Sequence, residues 1–173
     1  SEAMRLNPKN TSAFEFRADT YSEMGDLKNC VKDLSEAMRL NPHNVRVLCN
    51  RAGALQELRE FERAVSDCND ALRIDPMCAF AFGHRGNANL ALGKIDQAID
   101  DFTSAIKLDP KFVDAINNRG RAFEEVHRFD AAVADYSEAI RLMPSNAKAW
   151  GNRGNTVRKQ GQLNEAIEQY NRA

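Results

Sequence analysis

Between successive prolines, the apolar residues of this chain fall into two short stripes at helical spacing. Ile116 and Phe123, seven apart, predict one helix over roughly 113–126, and Val133, Tyr136 and Ile140 share a face of a second over roughly 130–142. A turn separates the two, and elsewhere the same turn reads Gly25-Asp26, Gly93-Lys94 and Gly161-Gln162. Glycine there supplies the left-handed residue that ends a helix. Proline closes the second helix, because the residue before it is pushed out of helical backbone. Asn10, Asn44 and Asn146 then stand where an N-cap would open the next helix.

The pattern repeats. The five prolines are Pro8, Pro42, Pro76, Pro110 and Pro144, each 34 residues after the last. Around them the text recurs as "AMRLNPKN", "AMRLNPHN", "ALRIDPMC", "AIKLDPKF" and "AIRLMPSN", with an alanine always five residues before the proline. Fixed internal periods of this size are the mark of solenoids. Large apolar residues recur at Phe14, Leu48, Phe82, Ile116 and Trp150, and small ones at Ala18, Ala52, Gly86, Gly120 and Gly154. A second small column runs Cys30, Ala64, Ala98, Ala132, Ala166, and a second large one Leu34, Cys68, Phe102, Tyr136, Tyr170. Arg59 and His127 replace the turn glycine in two units. The whole chain resembles the tetratricopeptide repeat (TPR) family. That resemblance implies an all-α fold, a right-handed α-solenoid of tandem helix–turn–helix repeats. The phase divides the chain into the tail of a preceding repeat (1–10), four full repeats (11–44, 45–78, 79–112, 113–146) and a truncated fifth (147–173). Met4 and Leu6 at one end, and Ile167 and Tyr170 at the other, are apolar where a capping repeat is normally polar. The expectation is a segment of a longer protein, or end-to-end self-association through uncapped terminal repeats.

Composition narrows the classes. The chain has 173 residues, is 43% hydrophobic and 28% charged, and is therefore rich enough in apolar residues for a packed core. Its net charge of −1 argues against a nucleic-acid or anionic-membrane surface, either of which needs a basic excess. No apolar run approaches the ~18 residues of a membrane span. Cys30, Cys49, Cys68 and Cys78 show no CxxC spacing and read as reduced interior thiols, with neither metal nor cofactor expected and the cytoplasm as default compartment.

One phrase of each repeat carries candidate chemistry: "CNRAG", "GHRGN", "NNRGR" and "GNRGN". The glycine or alanine lets two helices approach. The arginine (Arg17, Arg51, Arg85, Arg119, Arg153) lies on the inward-packing stripe, where an unpaired charge is expensive. Sixteen residues on stand Asp33, Asp67, Asp101 and Asp135, with Gln169 in the last repeat, which predicts a structural ladder of Arg–Asp pairs. The residue before the arginine is Phe16, Asn50, His84, Asn118 or Asn152. The resemblance turns this side of the first helix toward a concave groove. An asparagine amide can pair with both the C=O and the N–H of an extended peptide. Asn50, His84, Asn87, Asn118, Arg121, Asn152, Asn155 and Lys148 are therefore the candidate peptide-binding residues. Other groove-side residues run from acidic (Glu15, Asp19, Glu23) through Phe80, Asn117, Arg121 and Glu124 to basic (Lys148, Arg158, Lys159), which suits a ligand of graded charge.

Three function classes compete. The first is a non-catalytic interaction scaffold that holds a protein or peptide ligand. The second is a co-chaperone-type clamp for an acidic chaperone C-terminus. Asn87, Asn118 and Lys148 match that clamp, but Gly83 and Asn152 stand where cations belong, and Glu15 and Asp19 oppose it in the first repeats. The third is the TPR targeting region of a larger enzyme. Within the chain itself no catalytic residue is expected: Cys49 and His84 are the one conceivable nucleophile–base pair, and no third group supports them.

Overall fold

The computed structural model describes residues 11–172. Asn10, Met4, Leu6 and the whole 1–10 tail lie outside them. The described residues form ten α-helices and no strand, an all-α solenoid of helix–turn–helix repeats. The helices are α1 (Thr11–Glu23), α2 (Leu27–Leu40), α3 (Val45–Glu57), α4 (Phe61–Ile74), α5 (Ala79–Ala91), α6 (Ile95–Leu108), α7 (Val113–Glu125), α8 (Phe129–Leu142), α9 (Ala147–Lys159) and α10 (Leu163–Tyr170). They group into two compact units, with α1–α5 before Leu92 and α6–α10 after it.

The turns follow from backbone chemistry. Gly25, Gly93 and Gly161 take φ of +73°, +73° and +85°. Arg59 and His127 adopt the same left-handed backbone, at φ +61° and +58°, despite carrying a Cβ. Such a residue costs ~1–2 kcal/mol relative to glycine, and the flanking helices impose it. At the other end of each repeat, the constant alanine accepts the cap amide: Asn41 N to Ala37 O at 2.9 Å, Asp75 N to Ala71 O at 2.8 Å, Asp109 N to Ala105 O at 2.8 Å and Met143 N to Ala139 O at 2.9 Å. All four alanines are 0–1% exposed, so no larger side chain fits. Asn44 and Asn146 cap α3 and α9 by accepting from Val47 N at 3.3 Å and Ala149 N at 3.1 Å. Cys78 and Phe112 hold the same place before α5 and α7 without a side-chain capping bond.

In the first unit, Ala18, Leu34, Ala52, Leu55, Ala64 and Cys68 form one cluster, and Leu48, Cys49, Ala71 and Ala81 another. In the second unit, Ile116, Ala139, Ile140 and Ala149 form one cluster, and Phe123, Ala132 and Tyr136 another. Small and large columns are matched in volume. Ala18 and Ala52 are followed, 16 residues on, by Leu34 and Cys68; Gly120 and Gly154 are followed by Tyr136 and Tyr170. A Cβ on Gly120 would stand 2.8 Å from the Tyr136 ring, and one on Gly154 2.7 Å from that of Tyr170.

The arginines sit at the seam. Arg51 donates from Nε and Nη2 to Asp67 at 2.7 and 2.6 Å, and Arg119 does the same to Asp135, both at 2.8 Å. Arg17 grips Asp33 in the same forked geometry. Each pair joins the two helices of one repeat. The remaining Nη1 reaches backward to the second helix of the preceding repeat: Arg51 to Ser35 at 3.0 Å, Arg85 to Asn69 at 2.8 Å and Arg119 to Thr103 at 3.2 Å. Asp101 is buried on α6. Arg153, whose aspartate is replaced by Gln169, keeps a 3.4 Å contact to Glu165, while its Nε and the Gln169 Oε1 are buried without partners among the described residues.

Two stability outcomes follow. Arg51→Met strands Asp67, which is only 6% exposed at its side chain, and loses about 3–5 kcal/mol of unfolding free energy in urea titrations. The double variant Arg51→Met/Asp67→Leu recovers most of that loss, because no buried charge is left behind. Gly120→Ala collides with the fully buried Tyr136, an overpacking cost of about 1–3 kcal/mol against a helix-propensity gain of about 1 kcal/mol. Gly154→Ala meets the half-exposed Tyr170 ring, which can swing aside, and the Cβ of buried Gln169 at 3.2 Å, which can only give slightly, so its thermal midpoint falls less than that of Gly120→Ala.

Candidate functional site

Side chains join the first helices of successive repeats, Glu15 to Arg46 in the first unit and Asn117 to Asn152 in the second, and further polar residues line the exposed face beside them. In the first unit this face carries an open cavity of about 290 Å³. Its lining comes from Asp19 and Ser22 of α1, Asn50, Gly53 and Glu57 of α3, and His84 of α5. Cys30 and Leu34 of α2 lie on its inner side, as does Cys49.

His84 is placed by its surroundings. Gln56 Nε2 donates to the His84 carbonyl at 3.0 Å and lies 3.4 Å from Nδ1, and a Cβ on Gly53 would meet Cε1 at 3.3 Å. Burial holds the His84 imidazole below its ordinary pKa, which favours the neutral ring. Cys49 lines the same cavity, but its thiol is pushed well up, first by burial and then by Cys78, whose sulfur is 3.9 Å away. That direction opposes a thiolate nucleophile. Asn50 is exposed at the cavity wall, and Asn87 is half-buried further along α5.

In the second unit the polar residues are partly engaged with one another. Asn152 Nδ2 donates to the oxygen of Asn117 at 3.2 Å, joining α9 to α7. Asn118 is half-buried and accepts from the exposed Arg121 at 3.5 Å. Asn155 is exposed, and its oxygen accepts from the Tyr170 hydroxyl at 2.8 Å. Lys148 is exposed at the start of α9. Glu124 accepts from Tyr136 Oη at 2.9 Å, Thr156 Oγ1 at 2.7 Å and Lys159 Nζ at 3.3 Å. Burial, and then the Glu124 charge, push the Tyr136 phenol up, so it remains a donor.

Three residues read from the sequence as lining an open face are instead used internally. Glu15 is 5% exposed, and its carboxylate is taken by Arg46 and Asn44 of the next repeat. Asn117 is 7% exposed and holds Asn152. Glu124 carries the three donors just described. Helix geometry puts all three on the edge facing the neighbouring first helix, where desolvation demands a partner. Sequence reasoning also missed two sets of residues. Ser35, Asn69 and Thr103 form a polar column 16 residues before each arginine, a signal available in the spacing. Gln56 and Glu124 occupy one repeat position and both reach the next first helix, but their differing chemistry hides the correspondence.

A pH dependence follows from His84. Its folded-state pKa is depressed, so below the ordinary value of about 6.5 the unfolded chain binds more protons than the folded one. This contribution to stability is present above that value and fades as the pH falls. The unfolding free energy of the parent chain rises between pH 5 and 7 in urea titrations, and His84→Gln shows a smaller rise.

No curated protein matches the sequence. Among solved structures, TTC0263, a thermophilic TPR protein in Thermus thermophilus, superposes with a TM-score of 0.82 at 18% identity, over 94% of this chain and 89% of that one. YrrB, described as a TPR protein with an unusual peptide-binding site, gives 0.73 at 17% identity, over 99% and 88%. The first TPR of Spaghetti (RPAP3), bound to the HSP90 peptide SRMEEVD, gives 0.65 at 26% identity, over 67% and 92%. Models of the tetratricopeptide repeat match residues 12–44, 45–77, 79–112 and 117–173, repeat after repeat at the positions that build the helix pairs and their seams, and the chain belongs to that family.

Proposed function

We propose that this chain is a non-catalytic scaffold that takes up an extended peptide segment of a partner protein on the face formed by its first helices. The observation that carries the reading is the unit-one cavity, lined from α1, α3 and α5, where Asn50 of α3 stands exposed with Arg51 beside it already committed to packing. An extended peptide brings unpaired backbone donors and acceptors, and an amide side chain answers both. Asn118 and Asn152 offer the same chemistry in the second unit. Two of the similar structures are described as having a peptide-binding site or a bound peptide, which is in keeping with this use of the fold.

An acidic chaperone tail, as in the RPAP3 complex, is a poorer match. Glu15 and Asp19 hold positions where that clamp needs a lysine and an asparagine, and the Glu15 carboxylate is already paired. Self-association and attachment to a larger enzyme are both compatible with the scaffold reading.

A peptide-array screen with the parent chain and an Asn50/Asn118/Asn152→Ala triple variant tests it. Peptides selected by the parent should lose most of their signal on the variant. Retained binding would reduce the asparagines to solvated surface. Because Asn152 also bonds Asn117, Asn50→Ala alone serves as the variant least coupled to packing.

A further inference from the structure

The unit-one cavity has a chemistry of its own. Its charged lining groups are two carboxylates, Asp19 on α1 and Glu57 on α3, which border the same space. Neither carboxylate meets a basic side chain among the described residues, whereas Glu15, Asp33 and Asp67 of the same unit are all paired. Burial is the main cause of the raised Cys30 pKa on the inner side, and Asp19 and Glu57 are among the charges that add to it. The field in the cavity is therefore negative. Asn50 and Ser22 supply oxygen acceptors beside the carboxylates, and Leu34 and Ala54 give an apolar surface along which a hydrocarbon stem can lie.

Stacking of the repeats does not require these acids. One repeat after Asp19 the position is Gly53, and one repeat after Glu57 it is Ala91. Three repeats on, the two positions carry Arg121 and Lys159. A position that tolerates glycine, alanine and either sign of charge is not fixed by packing, so its charge is free to serve a ligand.

We propose that this cavity is a subsite for one cationic side chain, an arginine or lysine of the bound segment, whose head group sits between Asp19 and Glu57. The subsite rests on the peptide-scaffold reading and assigns it a selectivity. The same field repels a carboxylate, so an acidic peptide would be excluded from the first unit. A guanidinium suits the site better than an ammonium, since its fork of donors can reach two carboxylates and the Asn50 oxygen at once.

The test is an NMR titration of the 15N-labelled full chain with the peptide acetyl-Ser-Gly-Arg-Gly-Ser-amide, alongside versions with citrulline or glutamate in place of arginine. Citrulline keeps the shape of arginine and removes its charge. The arginine peptide should shift the amides of Asp19, Ser22, Asn50, Gly53 and Glu57, and bind at least tenfold more tightly than the citrulline peptide at low salt. The exposed, isosteric double variant Asp19→Asn/Glu57→Gln should reduce that preference to less than twofold with the thermal midpoint unchanged. Citrulline binding within twofold of arginine, shifts confined to residues outside the cavity, or a preference surviving in the double variant each overturn the subsite. Its failure is separable from that of the scaffold reading. Array peptides that bind through the asparagines but show no enrichment in arginine or lysine leave the scaffold standing without the subsite. An arginine peptide seated in the cavity, with no array peptide sensitive to the asparagine substitutions, leaves the subsite without the scaffold.

Discussion

The guanidinium shared between second helices is the contact on which the rest of the architecture depends. A solenoid has no central core, so each interface must specify its own register. The fit of small residues to large ones, as at Gly120 and Tyr136, positions the two helices within a repeat and fixes the preceding repeat less tightly. Arg51 removes that freedom by fixing two directions at once: its Nε and Nη2 fork onto Asp67 of its own repeat, while Nη1 reaches Ser35 of the repeat before. Arg119 does the same with Asp135 and Thr103. A planar group with five donors in fixed directions can do this; an ammonium cannot. Neighbouring rings complete the environment, with the Arg17 guanidinium 5.9 Å from the centroids of both Phe14 and Tyr21 and that of Arg85 5.4 Å from Phe82. With the register set this way, the opposite side of each first helix is left to vary, and the cavity between Asp19, Asn50, Glu57 and His84 lies on that side.

Most of the scaffold was legible in the sequence, because its determinants are local and periodic. The prolines, the buried alanines before them and the turn glycines each act within a few residues, and 34-residue recurrence multiplies the signal. Even the departures followed the rule: Arg59 and His127 keep the left-handed backbone of the glycines they replace. The polar face was harder to read. Helical periodicity places Glu15, Asn50 and Asn117 near one another around the helix, yet Glu15 and Asn117 are buried against the adjoining repeat while Asn50 is exposed. Glu15 and Asn117 share one repeat position, with Cys49 and Gly83 between them, and all four are buried; Asn50 stands one residue, about 100° of helix, further round. Arg46 answers Glu15, and Asn152 answers Asn117. Those partners lie 31 and 35 residues away and neither pairing recurs, so the column Glu15, Cys49, Gly83, Asn117 shows that the position is buried but not what each polar member pairs with.

The match between glycine and ring has a consequence for how such an array can change over time. Gly120 against Tyr136, and Ala52 against Cys68, are complementary within a repeat and mismatched between repeats. A recombination point in the short turn between the two helices would seat an alanine on a tyrosine in one product and leave a void beside a glycine in the other. A crossover in the proline loop keeps every pair intact. The heritable module is therefore the helix pair: duplication and exchange of whole repeats is a nearly smooth path for this chain, and exchange of half-repeats between an alanine repeat and a glycine repeat is not.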